Sequence, residues 1–247
     1  LYFDGVDDWV QTKNAADEED FAIADEGDFT VSAWAKANSS SSGLMEILSQ
    51  GKVGQNFYLG SHHTGDKIRA GDFWEDTGVD FPRDDKWHHY VVTKSASNTH
   101  LYLDGTLAAS KGSAIGNPAE DGTGLRIGRQ YGTAGEYFHG SIADVTIWNG
   151  DALIAEEIKS LYNDGVPLFA APLREQSNYN SQSNVSVYYP LHGGGWNFNL
   201  EVNGSNGFGP DSELFIGNIK GMVTANWVKD SWKNSSGIIY GASWVKS

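Results

Sequence analysis

The side chains able to do chemistry in this chain are carboxylates, histidines and aromatics. Cysteine is absent, which excludes thiolate nucleophiles, zinc–thiolate centres and a disulfide scaffold. Cleaving a glycosidic bond needs two carboxylates facing each other across a short gap, one acting as acid and one as nucleophile or base. On a strand, such a pair shows as acids at alternating positions in an aromatic run, because successive side chains point to opposite faces. The nearest acids, Glu18-Glu19-Asp20 and Glu75-Asp76, are adjacent instead and sit in loop-like sequence. They read as solvated loop acids, and no catalytic residue is assigned. No Gly-x-Ser-x-Gly elbow is present for a serine nucleophile.

Histidines come in two adjacent pairs, His62-His63 and His88-His89. Neighbours on a strand face opposite ways, so neither pair is built to chelate one ion, and surface or strand roles are expected. Binding of a sugar has a different requirement: a flat aromatic face for its C–H surface and planar polar groups for its hydroxyls. Trp74 beside Glu75 and Asp76, and Tyr131 after Arg129, meet it in loop-like sequence. The expected site therefore joins the 72–78 loop (Asp72, Trp74, Asp76) to the 129–136 loop (Arg129, Tyr131, Glu136). Trp74 and Tyr131 would stack on a ring, while Arg129 and Asp76 would hydrogen-bond it. The competing reading makes Trp74 a core plug. Trp9, Trp34, Trp87 and Trp148 read as core or sheet-face residues.

The elements that must hold these loops are strands. From Trp87 to Trp148 the chain runs WHHYVVTK, HLYLDGTLAAS, LRIGRQ and GSIADVTIWN, each rich in Val, Ile, Leu, Tyr or Trp and bounded by Gly, Asn, Asp or Ser. Asp104-Gly105 predicts a tight hairpin turn, since Asp-Gly readily takes positive φ. In the first run the face carrying His89 and Val91 is taken as inward. FTVSAWAKA alternates with Phe29, Val31, Ala33 and Ala35 on one side. MEILSQG, NFYLGS and KIRAGDFW add strands, the last with Lys67 and Arg69 on an exposed face. One helix is predicted, ALIAEEIKSLYNDG, from the spacing of Leu153, Ile154, Ile158, Leu161 and Tyr162, with early acids and Gly165 as its stop.

Composition bounds the partners. The net charge of −15 over 247 residues leaves no basic stripe, which excludes nucleic acid. No apolar run is long enough to insert into a membrane. Asn38, Asn184, Asn203 and Asn234 head Asn-x-Ser triplets, which mark surface loops if the source glycosylates.

Seven segments, FDGVDDWV, DFTVSAWAKA, KWHHYVVT, LYLDGTLAAS, LRIGRQ, GSIADVTIWN and AEEIKSLYNDG, resemble in order and spacing a laminin-G-like (LamG, concanavalin A-like) jelly-roll domain over about residues 1–166. The resemblance implies an all-β fold of two facing antiparallel sheets with one short helix, followed by a β-rich C-terminal extension. Some relatives bind calcium next to an acidic pair before the last strand. Here that pair is Ala143-Asp144, with one acid missing. If the ends of the jelly roll meet, Asp4 and Asp144 could hold a calcium ion; otherwise Asp4 caps its own turn and Asp144 is solvated. The serine that caps the closing helix in relatives is Ile154 here, which should weaken that helix end by about 1 kcal/mol.

Beyond residue 166 the resemblance stops. Residues 167–184 contain REQSNYNSQSN and read as a polar linker or an extended wrap. Residues 185–247 carry four strand-like runs (VSVYYPL, ELFIGNI, GMVTANWVK and GIIYGASWVKS) and a short repeat, ANWVKDS and ASWVKS. They read as a partial second domain, a cover for the first, or a strand donor to another chain. The function expected from the resemblance is a non-catalytic extracellular adhesion or recognition module that binds a glycan or a cell-surface protein. The competing class is a structural subunit of a virion, fibre or filament that self-assembles through residues 167–247.

Overall fold

The computed structural model describes residues 1–13, 21–62, 66–71, 76–132, 135–165, 179–189, 191, 199–201, 213–217 and 238–240. Its strands are β1 (Tyr2–Asp4), β2 (Trp9–Lys13), β3 (Phe29–Ala37), β4 (Glu46–Lys52), β5 (Gln55–Ser61), β6 (Ile68–Ala70), β7 (His88–Lys94), β8 (Thr99–Leu103), β9 (Thr106–Lys111), β10 (Thr123–Ile127) and β11 (His139–Asn149). Helix α1 (Ala155–Tyr162) follows, then β12 (Val187–Tyr189), β13 (Asn199–Glu201), β14 (Glu213–Gly217) and β15 (Ile238–Tyr240). The first sheet runs β1-β11-β3-β7-β8-β9, with β12 also on β11; the second runs β14-β2-β10-β4-β5-β6. Every strand pair is antiparallel, so this is the expected two-sheet sandwich.

Alternation decides which side chains fill the space between the sheets. Phe29, Val31, Ala33 and Ala35 of β3 point inward with Phe57 and Leu59 of β5, Leu125 and Ile127 of β10, and Ile142 and Ile147 of β11. Asp104 (φ 50°) and Gly105 (φ 70°) make the predicted turn between β8 and β9.

The face expected to be inward on β7 is the outer one. Tyr90 and Val92 join the core between the sheets, while Val91 lies in a second apolar cluster with Tyr102, Trp148, Leu153, Ile158, Leu161, Tyr179, Val185 and Tyr188. Both faces of β7 are buried, because α1 and residues 179–189 cover the first sheet from outside. That double burial is why the alternation of β7 looked mixed.

The segment read as a polar linker therefore ends inside the fold. The Trp148 indole N–H donates to the Tyr179 hydroxyl at 3.3 Å and to the Ser181 carbonyl at 3.2 Å. The buried Glu157 carboxylate of α1 accepts from Asn180 N at 3.1 Å and from the Ser181 hydroxyl at 2.7 Å. β12 then pairs along Val145–Ile147, end to end with β1, which pairs along residues 139–141 of the same strand. β14 extends the second sheet beside β2, and β13 pairs with β15. The ANWVKDS and ASWVKS repeat lies outside the described residues.

Ile154 occupies the N-cap of α1 and makes no side-chain cap bond. Only half of a capping box survives: Glu157 accepts from Ile154 N at 3.3 Å, and nothing reaches forward in return. Ile154 is also 58% exposed. Ile154→Ser should raise stability by about 1 kcal/mol, read as a shift of the urea midpoint at constant m. An unchanged midpoint would show that Glu157 already satisfies that end.

Candidate functional site

The outer face of the second sheet gathers aromatic rings and arginines. On β5, Phe57 and Leu59 face the core, so Asn56 and Tyr58 face out; on β10, Leu125 and Ile127 face in and Arg126 faces out. Gly128 then turns the chain at φ 82°, where any β-carbon would meet the Phe3 ring at 2.5 Å. The turn carries Arg129, Gln130 and Tyr131 back over that outer face. The Ser49 hydroxyl of β4 donates to the Arg129 carbonyl at 2.9 Å, and the Asn56 amide reaches the Tyr131 hydroxyl at 3.4 Å.

Rings and guanidinium groups pack alternately there. Arg126 lies 4.9 Å and Arg129 5.3 Å from the centre of the Trp9 ring, and Arg129 also lies 5.2 Å from the Tyr137 ring. Tyr58 and Tyr131 are 5.3 Å apart with their planes tilted by 39°. Arg69 stacks on Tyr58 at 4.0 Å and is ion-paired to both Glu46 and Glu136. Burial pushes the Tyr58 phenol far above its ordinary pKa, helped by its hydrogen bond to Tyr131, so it stays a neutral donor. Trp9, Tyr58, Arg126, Arg129, Tyr131, Glu136 and Tyr137 are all half-buried. Such a surface offers ring faces and planar donors at one level.

Of the residues singled out from sequence, Arg129, Tyr131 and Glu136 meet on this face. Asp76 does not join them; it is exposed beyond β6, where its Oδ1 accepts from Gly78 N at 2.8 Å. Asp72, Trp74 and Glu75 lie outside the described residues, as do Glu18, Glu19, Asp20 and His63. Arg69, expected to be exposed, is 7% exposed, because the two glutamates and Tyr58 enclose it. Trp9, Tyr58, Arg69, Arg126 and Tyr137 were not picked as ligand residues. The alternation of QNFYLGS could have placed Tyr58 on the outer face; nothing in the sequence brings it to Tyr131.

The structure does not bring Asp4 and Asp144 together. Asp4 sits opposite His139 on β11 and Asp144 five residues further along, about 16 Å at strand rise. Asp4 Oδ1 accepts from Val6 N at 2.8 Å and Asp7 N at 3.3 Å, which is the turn-capping role. The carboxylates of Asp4, Asp7 and Asp8 offer oxygens within 4.8 Å of one another. Asp144, instead of being solvated, is 4% exposed at a bulge (φ 50°) and accepts from the Tyr188 hydroxyl at 2.8 Å.

His88 and His89 have strand roles, whereas His62, expected at the surface, is 7% exposed at the end of β5. His88 bonds Asp104 at 2.7 Å and Asp84 at 3.2 Å; the Asp104 bond raises its pKa. His89 stacks on Trp34 at 5.0 Å and meets the Ser32 hydroxyl at 2.8 Å, and burial drives its pKa down to about 3. This Ser–His pair is no catalytic dyad. Ser32 is 3% and His89 1% exposed, and Asp104 takes the backbone N–H of His89 and the ring of His88 instead of His89 Nδ1.

Two facing antiparallel sheets place the chain in the jelly-roll class of β-sandwich. Residues 4–159 match the laminin G model described as the concanavalin A-like lectin/glucanases superfamily, and the chain belongs to that superfamily. Among solved structures, it is similar to a candidate carbohydrate binding protein from Bacteroides ovatus, at 17% identity and a TM-score of 0.58, covering 99% of this chain and 58% of that one. It is also similar to the sialidase of Trypanosoma rangeli, at 19% identity and a TM-score of 0.43, covering 55% of this chain and 23% of that one. Domain 4 of an extracellular arabinanase from Geobacillus stearothermophilus, solved with arabinotriose, matches at 13% identity and a TM-score of 0.42, over 62% of this chain and 86% of that one. No curated protein matches the sequence. At these identities the likeness is one of fold.

Proposed function

We propose that this chain is a non-catalytic carbohydrate-recognition module acting at an extracellular surface, with the outer face of the second sheet as its glycan-binding face. The observation that carries this reading is the half-buried group of Trp9, Tyr58, Tyr131 and Tyr137 interleaved with Arg126 and Arg129. Ring faces take the C–H side of a sugar, and guanidinium and amide groups take its hydroxyls. The fold likeness to a candidate carbohydrate binding protein supports the same reading.

Two acids on this face, Glu46 and Glu136, invite a hydrolase reading. The Arg69 guanidinium fills the space between them, bonding both through one nitrogen, where a scissile bond and its water would have to sit. Glu46 is also fully buried. A structural-subunit role loses its motive among the described residues, because β12 and β14 pair within the chain.

The test is a glycan array followed by calorimetry on the full chain. Tyr131→Ala should weaken binding of the best ligand by roughly 1–3 kcal/mol with little change in melting temperature. If no glycan is retained, the reading fails. Glycan turnover that disappears in Glu136→Gln would replace it with an enzyme.

A further inference from the structure

The proposed glycan face contains an arginine that no carboxylate among the described residues neutralises. Arg69 is matched by Glu46 and Glu136, but Arg129 has no carboxylate partner among the described residues. Among the described residues its guanidinium donates from Nη2 to the Gly132 carbonyl at 3.3 Å, and its central carbon lies 5.3 Å from the Trp9 ring centre and 5.2 Å from the Tyr137 ring centre. Arg126 lies beside it on the same indole and donates to the same carbonyl at 2.8 Å. The chain as a whole has 32 acidic and 17 basic residues.

We infer that the ligand of this face is an acidic glycan, and that Arg129 receives a carboxylate carried on the sugar. The inference rests on the glycan-binding reading above and narrows it to a substrate class. A guanidinium presents a rigid planar fork that matches a carboxylate with two parallel hydrogen bonds. Contact with two rings restricts that fork before the ligand arrives, so less side-chain freedom is lost on binding. The half-buried setting strengthens the attraction relative to water, and the ring of the same sugar can lie on Tyr131. A neutral glycan would leave the charge of Arg129 without a counterpart.

The experiment uses the full chain on an array of neutral, uronic-acid, sialylated and sulfated oligosaccharides. The best carboxylate-bearing glycan and its methyl ester, which keeps the ring and removes the charge, are then titrated by calorimetry. The acid should bind at least tenfold more tightly than the ester, with an advantage that shrinks as salt is raised. Arg129→Gln should weaken the acid at least tenfold more than it weakens the ester. Arg129→Lys, which keeps the charge but loses the fork, should fall between. Tyr131→Ala should weaken acid and ester alike. The inference is overturned if neutral glycans bind as tightly, if sulfated glycans are preferred, or if Arg129→Gln weakens acid and ester equally. Each of those results leaves the glycan-binding reading in place. An array with no bound glycan overturns both.

Discussion

A chain ending at residue 166 should fail to form a stable sandwich, although the family match ends at residue 159. Removing residues 179–191 uncovers Trp148, Val91, Leu153, Ile158 and Leu161 on the outer face of the first sheet. The Trp148 indole loses both its acceptors, Asn149 N loses the Ser186 hydroxyl at 3.0 Å, and β11 loses its ladder with β12. Each large apolar side chain returned to water costs about 1.5–3 kcal/mol, so a few together match the whole stability of a typical domain, about 5–15 kcal/mol. Residues 1–166 should therefore aggregate or bind a hydrophobic dye, and a chain of residues 1–191 should recover a cooperative melt. A sharp transition for residues 1–166 within a few degrees of the full chain would show that the strap is dispensable.

Arg69→Met should be the most damaging single substitution on the proposed glycan face. Glu46 has no exposure and its charge is met by Arg69, so losing the guanidinium strands a carboxylate in the sheet. Breaking a buried pair from one side costs about 3–5 kcal/mol. The stack of Arg69 on Tyr58 is lost as well. The double variant Glu46→Gln, Arg69→Met should recover part of the loss, because an amide is cheaper to bury than an unpaired charge. Denaturant midpoints of the three proteins decide it. A cost below about 1 kcal/mol for Arg69→Met would mean that Glu46 finds another partner or that water reaches it.

The sequence by itself determined the fold class, the hairpin at Asp104-Gly105 and the helix at α1. These are local matters: period-two alternation, turn residues that tolerate positive φ, and one amphipathic stretch with acids at its start. It also put Arg129, Tyr131 and Glu136 in one loop. Only the tertiary structure decided which face of β7 looks inward, because covering the first sheet on both sides buries Val91 as completely as Val92. Only it separated Asp4 from Asp144, since the register of β1 on β11 is a pairing between residues more than a hundred positions apart. Tyr58, Arg69 and Trp9 join Tyr131 and Arg129 for the same reason: β2, β10, β4 and β5 are neighbours in space in an order the chain does not follow. The end of a polar, low-complexity run became a structural strap because the Tyr179 hydroxyl and the Ser181 carbonyl accept from Trp148, while Asn180 N and the Ser181 hydroxyl donate to Glu157. Composition describes what a segment can expose to water; what it covers is set by the surface it meets.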